Sequence, residues 1–178
     1  MKLICKIPIL TRLRMARLYH SAFPRSEKKP LWLIRKAARF GFGHNYAIVD
    51  DNQALIGLAF LLSDNKITLL DYFAIEKHWR GKGYGSRALS LLLEKFSEAP
   101  LVLEIEDPNA PCDNKEERIR RARFYEACGM RMMDFRVSLF GVDMCILTSG
   151  DKVSFEEYFS LLFSVFGEHF AKNVYLLQ

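Results

Sequence analysis

The sequence of 178 residues lacks any long hydrophobic run, and it has few cysteines. No apolar stretch approaches the roughly 18 residues of a membrane-spanning helix. Lys6 and Arg12 interrupt the apolar N-terminus, where a secretory signal would need an uncharged run. The cysteines are Cys5, Cys112, Cys128 and Cys145, with no CxxC pair and no paired histidine nearby. This pattern argues against a zinc site and a disulfide framework. We expect a cytoplasmic protein with reduced thiols, no bound metal and no membrane contact.

Internal repeats, low-complexity tracts and Gly/Ser-rich linkers are also missing from the sequence. Half of the residues are hydrophobic and 26% are charged, which is ordinary for a globular domain. Because this length suits one domain, we expect a single domain over residues 1–178. The formal net charge of +5 suits an anionic partner, either nucleic acid or a phosphorylated cofactor, and does not choose between them.

Hydrophobic spacing in the first half of the chain predicts two helices between strands. The predicted elements are a strand at 2–10, helices at 12–22 and 31–40, and strands at 46–49, 54–62 and 67–75. A polar loop at 23–30 separates the helices, and short turns separate the last three strands, which favours an antiparallel meander. The strand at 67–75 is almost continuously apolar, as in strands buried on both faces.

The second half predicts helices alternating with strands, and hence a mixed sheet. The predicted elements are a helix through 88–96, a strand at 101–106, a helix ending at Cys128 before Gly129, strands at 130–137 and 142–147, and a helix from Ser154 to about Phe170. Asp113 with Glu116, and Ser154 with Glu157, have the spacing of capping boxes for the last two helices.

A glycine-rich segment lies between the buried strand and the next helix. It reads Arg80, Gly81, Lys82, Gly83, Tyr84, Gly85 and Ser86. Glycines adopt positive φ and let a ligand approach the backbone closely. The free N–H groups and the dipole of a helix N-terminus favour phosphate, and Arg80 and Lys82 add positive charge. The segment therefore predicts a pyrophosphate site.

Three other interpretations of this segment compete. A Walker phosphate loop requires Ser or Thr after Gly-Lys, whereas Gly83 follows Lys82. A dinucleotide fingerprint turns directly off its strand and has a third glycine, whereas residues 76–80 intervene here and Ser86 replaces that glycine. The last alternative is a glycine-rich connection that binds nothing.

The same loop is similar to the Gln/Arg-x-x-Gly-x-Gly/Ala pattern of the GCN5-related N-acetyltransferase (GNAT) family. Residues 70–75 resemble the family's strand before the loop, residues 103–106 resemble its strand after the helix, and Tyr125 with Gly129 resembles its late helix. The resemblance covers residues 1–147 and implies the GNAT fold, an α/β mixed sheet of six or seven strands with helices on both faces. Residues 148–178 would add a C-terminal helical extension. Arg118 stands where many relatives carry an asparagine.

This resemblance implies acetyl-coenzyme A (acetyl-CoA) as the co-substrate, with no metal. Backbone groups of Phe73, Ala74 and Ile75 would hold the pantetheine arm, and the loop from Arg80 to Ser86 would hold the pyrophosphate. The implied activity is N-acetyl transfer to a primary amine of a small molecule or peptide, by direct attack in a ternary complex.

The resemblance also implies the catalytic groups. Glu104 is the first candidate for the general base, and Asp71 is the second because burial in its strand would raise its pKa. A chain of water molecules is the third possibility. Tyr125 would protonate the departing thiolate. Glu104 and Glu106 share one strand face, which favours a cationic acceptor.

Two alternatives of other classes remain at this point. One is a non-catalytic module that binds or senses acyl-CoA, and the other is a nucleic-acid-binding module that uses the arginine-rich helix around Arg118 and Arg121. We expect an amine acceptor rather than nucleic acid as the partner. The protein would be a monomer or a homodimer.

Overall fold

The computed structural model describes residues 1–25 and 27–177. Ser26, within the predicted loop at 23–30, and Gln178 lie outside the described residues. The chain forms two compact units, of which unit 1 comprises residues 1–62 and 70–95, and unit 2 comprises residues 63–69 and 96–178.

Unit 1 holds the first strands and three helices. Its elements are β1 (Lys2–Ile4), α1 (Ile9–Ala22), α2 (Leu31–Arg39), β2 (Gly43–Val49), β3 (Leu55–Ser63), most of β4 (Thr68–Ile75) and α3 (Tyr84–Lys95). Strand β2 pairs antiparallel with β1 and with β3, so the predicted meander is confirmed for β2 and β3. The prediction of a strand at 2–10 was wrong beyond Ile4. The extended Pro8 precedes α1, because proline is tolerated at a helix start and cannot continue a strand ladder.

Helices cover both faces of the strands in unit 1. On one face, Tyr19 of α1 packs in a cluster with Tyr72 and Ala74 of β4. On the other face, Ala88 of α3 packs with Ile75 of β4. Neighbouring residues of a strand point to opposite faces, so β4 contributes to both clusters. The prediction that this apolar strand is buried on both faces is therefore confirmed.

Unit 2 includes the first two residues of β4, Thr68 and Leu69. Its further elements are β5 (Leu101–Glu106), α4 (Lys115–Ala127), β6 (Arg131–Leu139), β7 (Val142–Thr148), α5 (Phe155–Phe166), α6 (Glu168–Ala171) and β8 (Val174–Leu177). Thr68 and Leu69 pair in parallel with β5, whereas β5–β7, β6–β7 and β6–β8 are antiparallel. The hydrogen-bonded order β1-β2-β3-β4-β5-β7-β6-β8 makes a mixed sheet of eight strands.

Three details of unit 2 differ from the sequence prediction. The sheet has eight strands rather than six or seven, because the C-terminal extension includes β8 as well as helices. The helix predicted from Ser154 to about Phe170 is divided into α5, which ends at Phe166, and α6, because Gly167 between them takes a φ of 79°. The predicted box of Asp113 and Glu116 does not form, because α4 starts at Lys115 and its N-cap, Asn114, makes no side-chain cap. The box of Ser154 and Glu157 is confirmed.

Candidate functional site

The glycine-rich segment has a conformation that requires glycine. Residues 77–79 form a 3-10 turn after β4, and α3 starts at Tyr84. Gly81 and Gly83 have φ values of 71° and 77°, in the left-handed region that disfavours other residues. A Cβ atom at either position would meet no protein atom within 4 Å. The glycines are therefore needed for backbone conformation, and the space above them is open to a ligand.

The loop is fixed to unit 1 by its own side chains. The Arg80 Nε atom donates a hydrogen bond of 2.8 Å to the carbonyl of Ile75, the last residue of β4. The Trp79 and Tyr84 rings meet edge to face with centroids 4.8 Å apart, and the Lys82 Nζ atom lies 5.8 Å from the centre of the Trp79 ring. These contacts hold the loop in one arrangement against the strand and helix that it joins.

The first turn of α3 supplies the groups that an anion needs. Its first hydrogen bond runs from the Arg87 N–H to the Gly83 carbonyl at 3.1 Å, so the N–H groups of Tyr84, Gly85 and Ser86 precede the helical ladder. Such groups and the helix dipole together favour phosphate oxygens. The segment thus fits a pyrophosphate, and its predicted residues lie together in one loop.

The three predicted pantetheine residues lie at the end of β4. Phe73 is half-buried and packs against the cluster that includes Ile75 and Ala88, while Ala74 is buried on the opposite face. The N–H of Glu76 then donates to the Ile56 carbonyl at 2.8 Å. Their side chains serve the core, so a ligand would meet the backbone of this strand. The role given to them stays a prediction.

Asp71, the second candidate base, is engaged in a buried ion pair. Its Oδ1 atom lies 2.6 Å from the Lys29 Nζ atom, and the Asp71 and Lys29 side chains are 4% and 11% exposed. The same ammonium group lies 5.3 Å from the centre of the Tyr72 ring. Asp71 therefore already holds a cation, which belongs to the loop between α1 and α2.

Two tyrosine hydroxyls form hydrogen bonds with backbone groups of that loop. The Tyr72 hydroxyl accepts a hydrogen bond from the Lys29 N–H and donates one to the Glu27 carbonyl, both at 2.8 Å. The Tyr19 hydroxyl donates to the Lys29 carbonyl at 2.8 Å. Burial, followed by the hydrogen bond with Tyr72, raises the pKa of Tyr19, so its hydroxyl stays a donor. Glu27 and Lys29 are thus fastened to β4 by Tyr72, and Lys29 is also fastened to α1 by Tyr19.

Glu104 and Glu106 have different environments although they share a strand face. The Glu104 Oε1 atom accepts a hydrogen bond of 2.6 Å from the hydroxyl of Tyr158, which is fully buried on α5. Glu106 is paired with Arg118 at 2.6 Å and with Arg121 at 3.3 Å. Two guanidinium groups therefore offset the charge of Glu106, whereas Tyr158 gives Glu104 a hydrogen bond from a neutral hydroxyl.

Arg118 is the residue that the resemblance places where an asparagine is expected. Besides its ion pair with Glu106, its Nη1 atom donates to the Asp107 carbonyl at 3.2 Å. Asp107 is itself paired with Arg136 at 2.8 Å. A backbone hydrogen bond from Asn109, followed by the bond with Arg136, lowers the pKa of the Asp107 carboxyl. Arg118 therefore binds the end of β5 in this chain.

Tyr125 lies in the last turn of α4 and is 9% exposed. Burial raises the pKa of Tyr125 to about 12, against an ordinary value of about 10. This makes the phenol a weaker acid than a free tyrosine. It also keeps the hydroxyl protonated, and able to donate a hydrogen bond, throughout the neutral range.

Neither Lys29 nor Tyr158 was predicted from the sequence as a site residue. Both act across long sequence separations, on Asp71 and on Glu104 respectively. Nothing local distinguishes Lys29 from Lys28, whereas Tyr158 belongs to an aromatic stripe that predicted burial. The hydroxyl of a buried tyrosine usually has a hydrogen-bond partner. This rule could have predicted a polar partner for Tyr158, but not which residue it is.

Residues 1–25 and 27–177 contain neither a candidate metal site nor a candidate membrane span. No group of three or more His, Cys, Asp or Glu side chains there could hold a metal ion. No helix in that part of the chain is long and apolar enough to cross a membrane.

Solved structures similar to this chain are those of GNAT acetyltransferases. A Bacteroides thetaiotaomicron protein assigned to this family matches with a TM-score of 0.80 and 24% identity, over 94% of this chain and 99% of that one. The spermidine N-acetyltransferase of Vibrio cholerae, solved with CoA and spermine, matches with a TM-score of 0.64 and 15% identity, over 83% and 93%. The aminoglycoside 6′-N-acetyltransferase of Enterococcus faecium matches with a TM-score of 0.62 and 13% identity, over 86% and 98%.

These likenesses confirm the predicted fold class. Other structures similar to this chain contain acetyl-CoA, as in an Elizabethkingia anophelis acetyltransferase, or CoA. No protein with a curated description matches the sequence significantly. The sequence model of the acetyltransferase (GNAT) family matches residues 12–130, which is more than half of the chain. The chain therefore belongs to the GNAT acetyltransferase family.

Proposed function

We propose that this protein transfers an acetyl group from acetyl-CoA to a primary amine of a small molecule or peptide. The observation that carries the proposal is the loop from Arg80 to Ser86, with its two left-handed glycines and the start of α3. A pyrophosphate would take the N–H groups of Tyr84, Gly85 and Ser86. The open space over Gly81 and Gly83 admits such a group.

Glu104 is the better of the two candidate bases. A lysine-like amine costs about 4–5 kcal/mol to deprotonate at pH 7, so a carboxylate that accepts the proton contributes substantially. Asp71 is almost fully buried and holds the Lys29 ammonium, which occupies one of its oxygens. Glu104 is only partly buried, and the Tyr158 hydroxyl donates a hydrogen bond to its Oε1 atom.

Tyr125 would act as a hydrogen-bond donor to the departing thiolate. A thiol has a pKa of about 8.5, whereas the Tyr125 phenol has a pKa of about 12. Full proton transfer from the phenol to the thiolate is therefore unfavourable. A hydrogen bond to the developing negative charge needs no full transfer and still stabilises the transition state. The thiolate would then take its proton from water.

We propose a cationic amine as the acceptor. Glu104 and Glu106 place two carboxylates on one face of β5. The similar proteins from Vibrio cholerae and Enterococcus faecium act on spermidine and on aminoglycosides, which carry primary amines.

Thermal unfolding with and without acetyl-CoA tests the cofactor, with dephospho-CoA as the control. Ligand at about 100 times its dissociation constant adds about 2.7 kcal/mol, a rise of roughly 5–10 °C for a chain of this size. Release of the CoA thiol with a panel of polyamines, aminoglycosides and peptides then tests the transfer. No shift at millimolar acetyl-CoA would overturn the proposal, and a shift without thiol release would favour a binding or sensing module.

A further inference from the structure

A buried tyrosine of the C-terminal helix touches the candidate base. The Tyr158 side chain is 0% exposed, and its hydroxyl donates to the Glu104 Oε1 atom at 2.6 Å. Helix α5 lies beyond residues 12–130, the part of the chain that the family model matches. The contact is therefore made by a segment that follows the region matched by the family model.

Both partners of this hydrogen bond belong to well-fixed elements. Ser154 caps α5, because its Oγ atom accepts from the Glu157 N–H at 3.2 Å and the Glu157 side chain accepts from the Ser154 N–H at 2.9 Å. Glu104 lies in the middle of β5, where it pairs with Ile146 of β7. The capped helix and the paired strand thus hold the tyrosine and the glutamate in one relative position.

The hydrogen bond from Tyr158 to Glu104 differs chemically from the ion pairs of Glu106, the next residue on the same face of β5. Glu106 meets two guanidinium groups, from Arg118 and Arg121, which orient its carboxylate and also offset its charge. A tyrosine hydroxyl orients a carboxylate through a short hydrogen bond and adds no positive charge. The hydrogen bond from Tyr158 therefore orients the Glu104 carboxylate, as proton acceptance from an amine requires.

We infer that Tyr158 is a positioning residue for Glu104. Its hydroxyl fixes the carboxylate rotamer through Oε1, and the acceptor amine delivers its proton to the carboxylate. Helix α5 thereby contributes to the rate of transfer through Glu104. This inference rests on the proposed function, in which Glu104 accepts the proton of the acceptor amine.

A double-mutant cycle on thiol release tests the inference. We expect E104Q to lower kcat by about 10²–10⁴-fold, which is the usual contribution of a positioned base. Y158F should lower kcat about tenfold, leave KM for acetyl-CoA unchanged, and cost no further kcat in the E104Q background. Y175F is the matched control, because Tyr175 is 59% exposed on β8, and it should keep the wild-type kcat.

E104D provides a second variant that does not disturb the buried ring. It keeps the carboxylate but withdraws it by one methylene group from the Tyr158 hydroxyl, so we expect it to lose at least as much kcat as Y158F. An equal loss from Y158F in the wild-type and E104Q backgrounds, or full kcat in E104D, would overturn the inference alone. A wild-type protein that releases no thiol with any amine would overturn the proposed function, and the inference with it.

Discussion

The Lys29 Nζ atom lies 2.6 Å from the Asp71 Oδ1 atom, and both side chains are almost completely buried. The pair joins the loop between α1 and α2 to β4, two residues before Phe73. A buried ion pair contributes little net stability compared with apolar replacements, but removing one partner leaves an uncompensated charge. The pair therefore holds the loop against β4, because separating its partners would leave a buried charge without a counter-ion.

We expect K29M to destabilise the protein by about 3–5 kcal/mol, because it leaves the Asp71 carboxylate buried without its cation. The double variant K29M/D71N should recover most of this loss, since it removes the charge as well. Urea unfolding of the three proteins measures the free energies.

Lys28 provides the matched control for this prediction. Its Nζ atom makes an exposed hydrogen bond to the His20 carbonyl, so K28M should change the free energy of unfolding by less than about 0.5 kcal/mol. Equal losses in K28M and K29M would show that the buried ion pair has no special role.

Gly83 and Gly141 have nearly the same backbone conformation, with φ values of 77° and 80°. A Cβ atom at either position would meet no protein atom within 4 Å. Alanine at each should therefore cost about 1–2 kcal/mol of stability through the left-handed backbone alone. Only G83A should also abolish the thermal shift produced by acetyl-CoA, since only Gly83 lies in the proposed pyrophosphate loop. A shift that survives in G83A, or that disappears in G141A as well, would contradict the placement of the cofactor.

The sequence was sufficient for the features that depend on neighbouring residues. The left-handed glycines of the loop, the stop at Gly129 and the box of Ser154 and Glu157 are local, and the structure has all three. The strand predicted at 2–10 was too long because the prediction followed the apolar run and neglected Pro8. The fixed φ of proline suits the start of a helix, and α1 begins directly after Pro8.

The partners of the candidate catalytic groups could not be predicted in the same way. The hydrogen bond from Tyr158 to Glu104 spans 54 positions, and the pair of Lys29 with Asp71 spans 42. Such contacts depend on which elements pack together, and no local spacing encodes them. The roles of Glu104, Asp71 and Tyr125 stay predictions for the same reason.

Tyr125 should affect the rate without shaping its pH dependence. Because burial raises the pKa of Tyr125 to about 12, its hydroxyl stays protonated between pH 7 and about 10. We expect Y125F to lower kcat about tenfold through the lost hydrogen bond, and to keep the shape of the wild-type profile of kcat against pH over this range. An inflection near pH 10 in the wild type that disappears in Y125F would contradict the hydrogen-bonding role.

His44 should make the folded protein sensitive to mild acid. Burial, followed by the nearby charge of Lys95, lowers the pKa of folded His44 below the ordinary value of about 6.5. As the pH falls through 6.5, the unfolded chain takes up a proton that the folded protein does not, so the free energy of unfolding decreases. We expect H44Q to lose less stability than the wild type between pH 7.5 and 5.5 in urea unfolding. His169 is exposed, so H169Q should follow the wild type, and the same slope in all three proteins would exclude His44 as the cause.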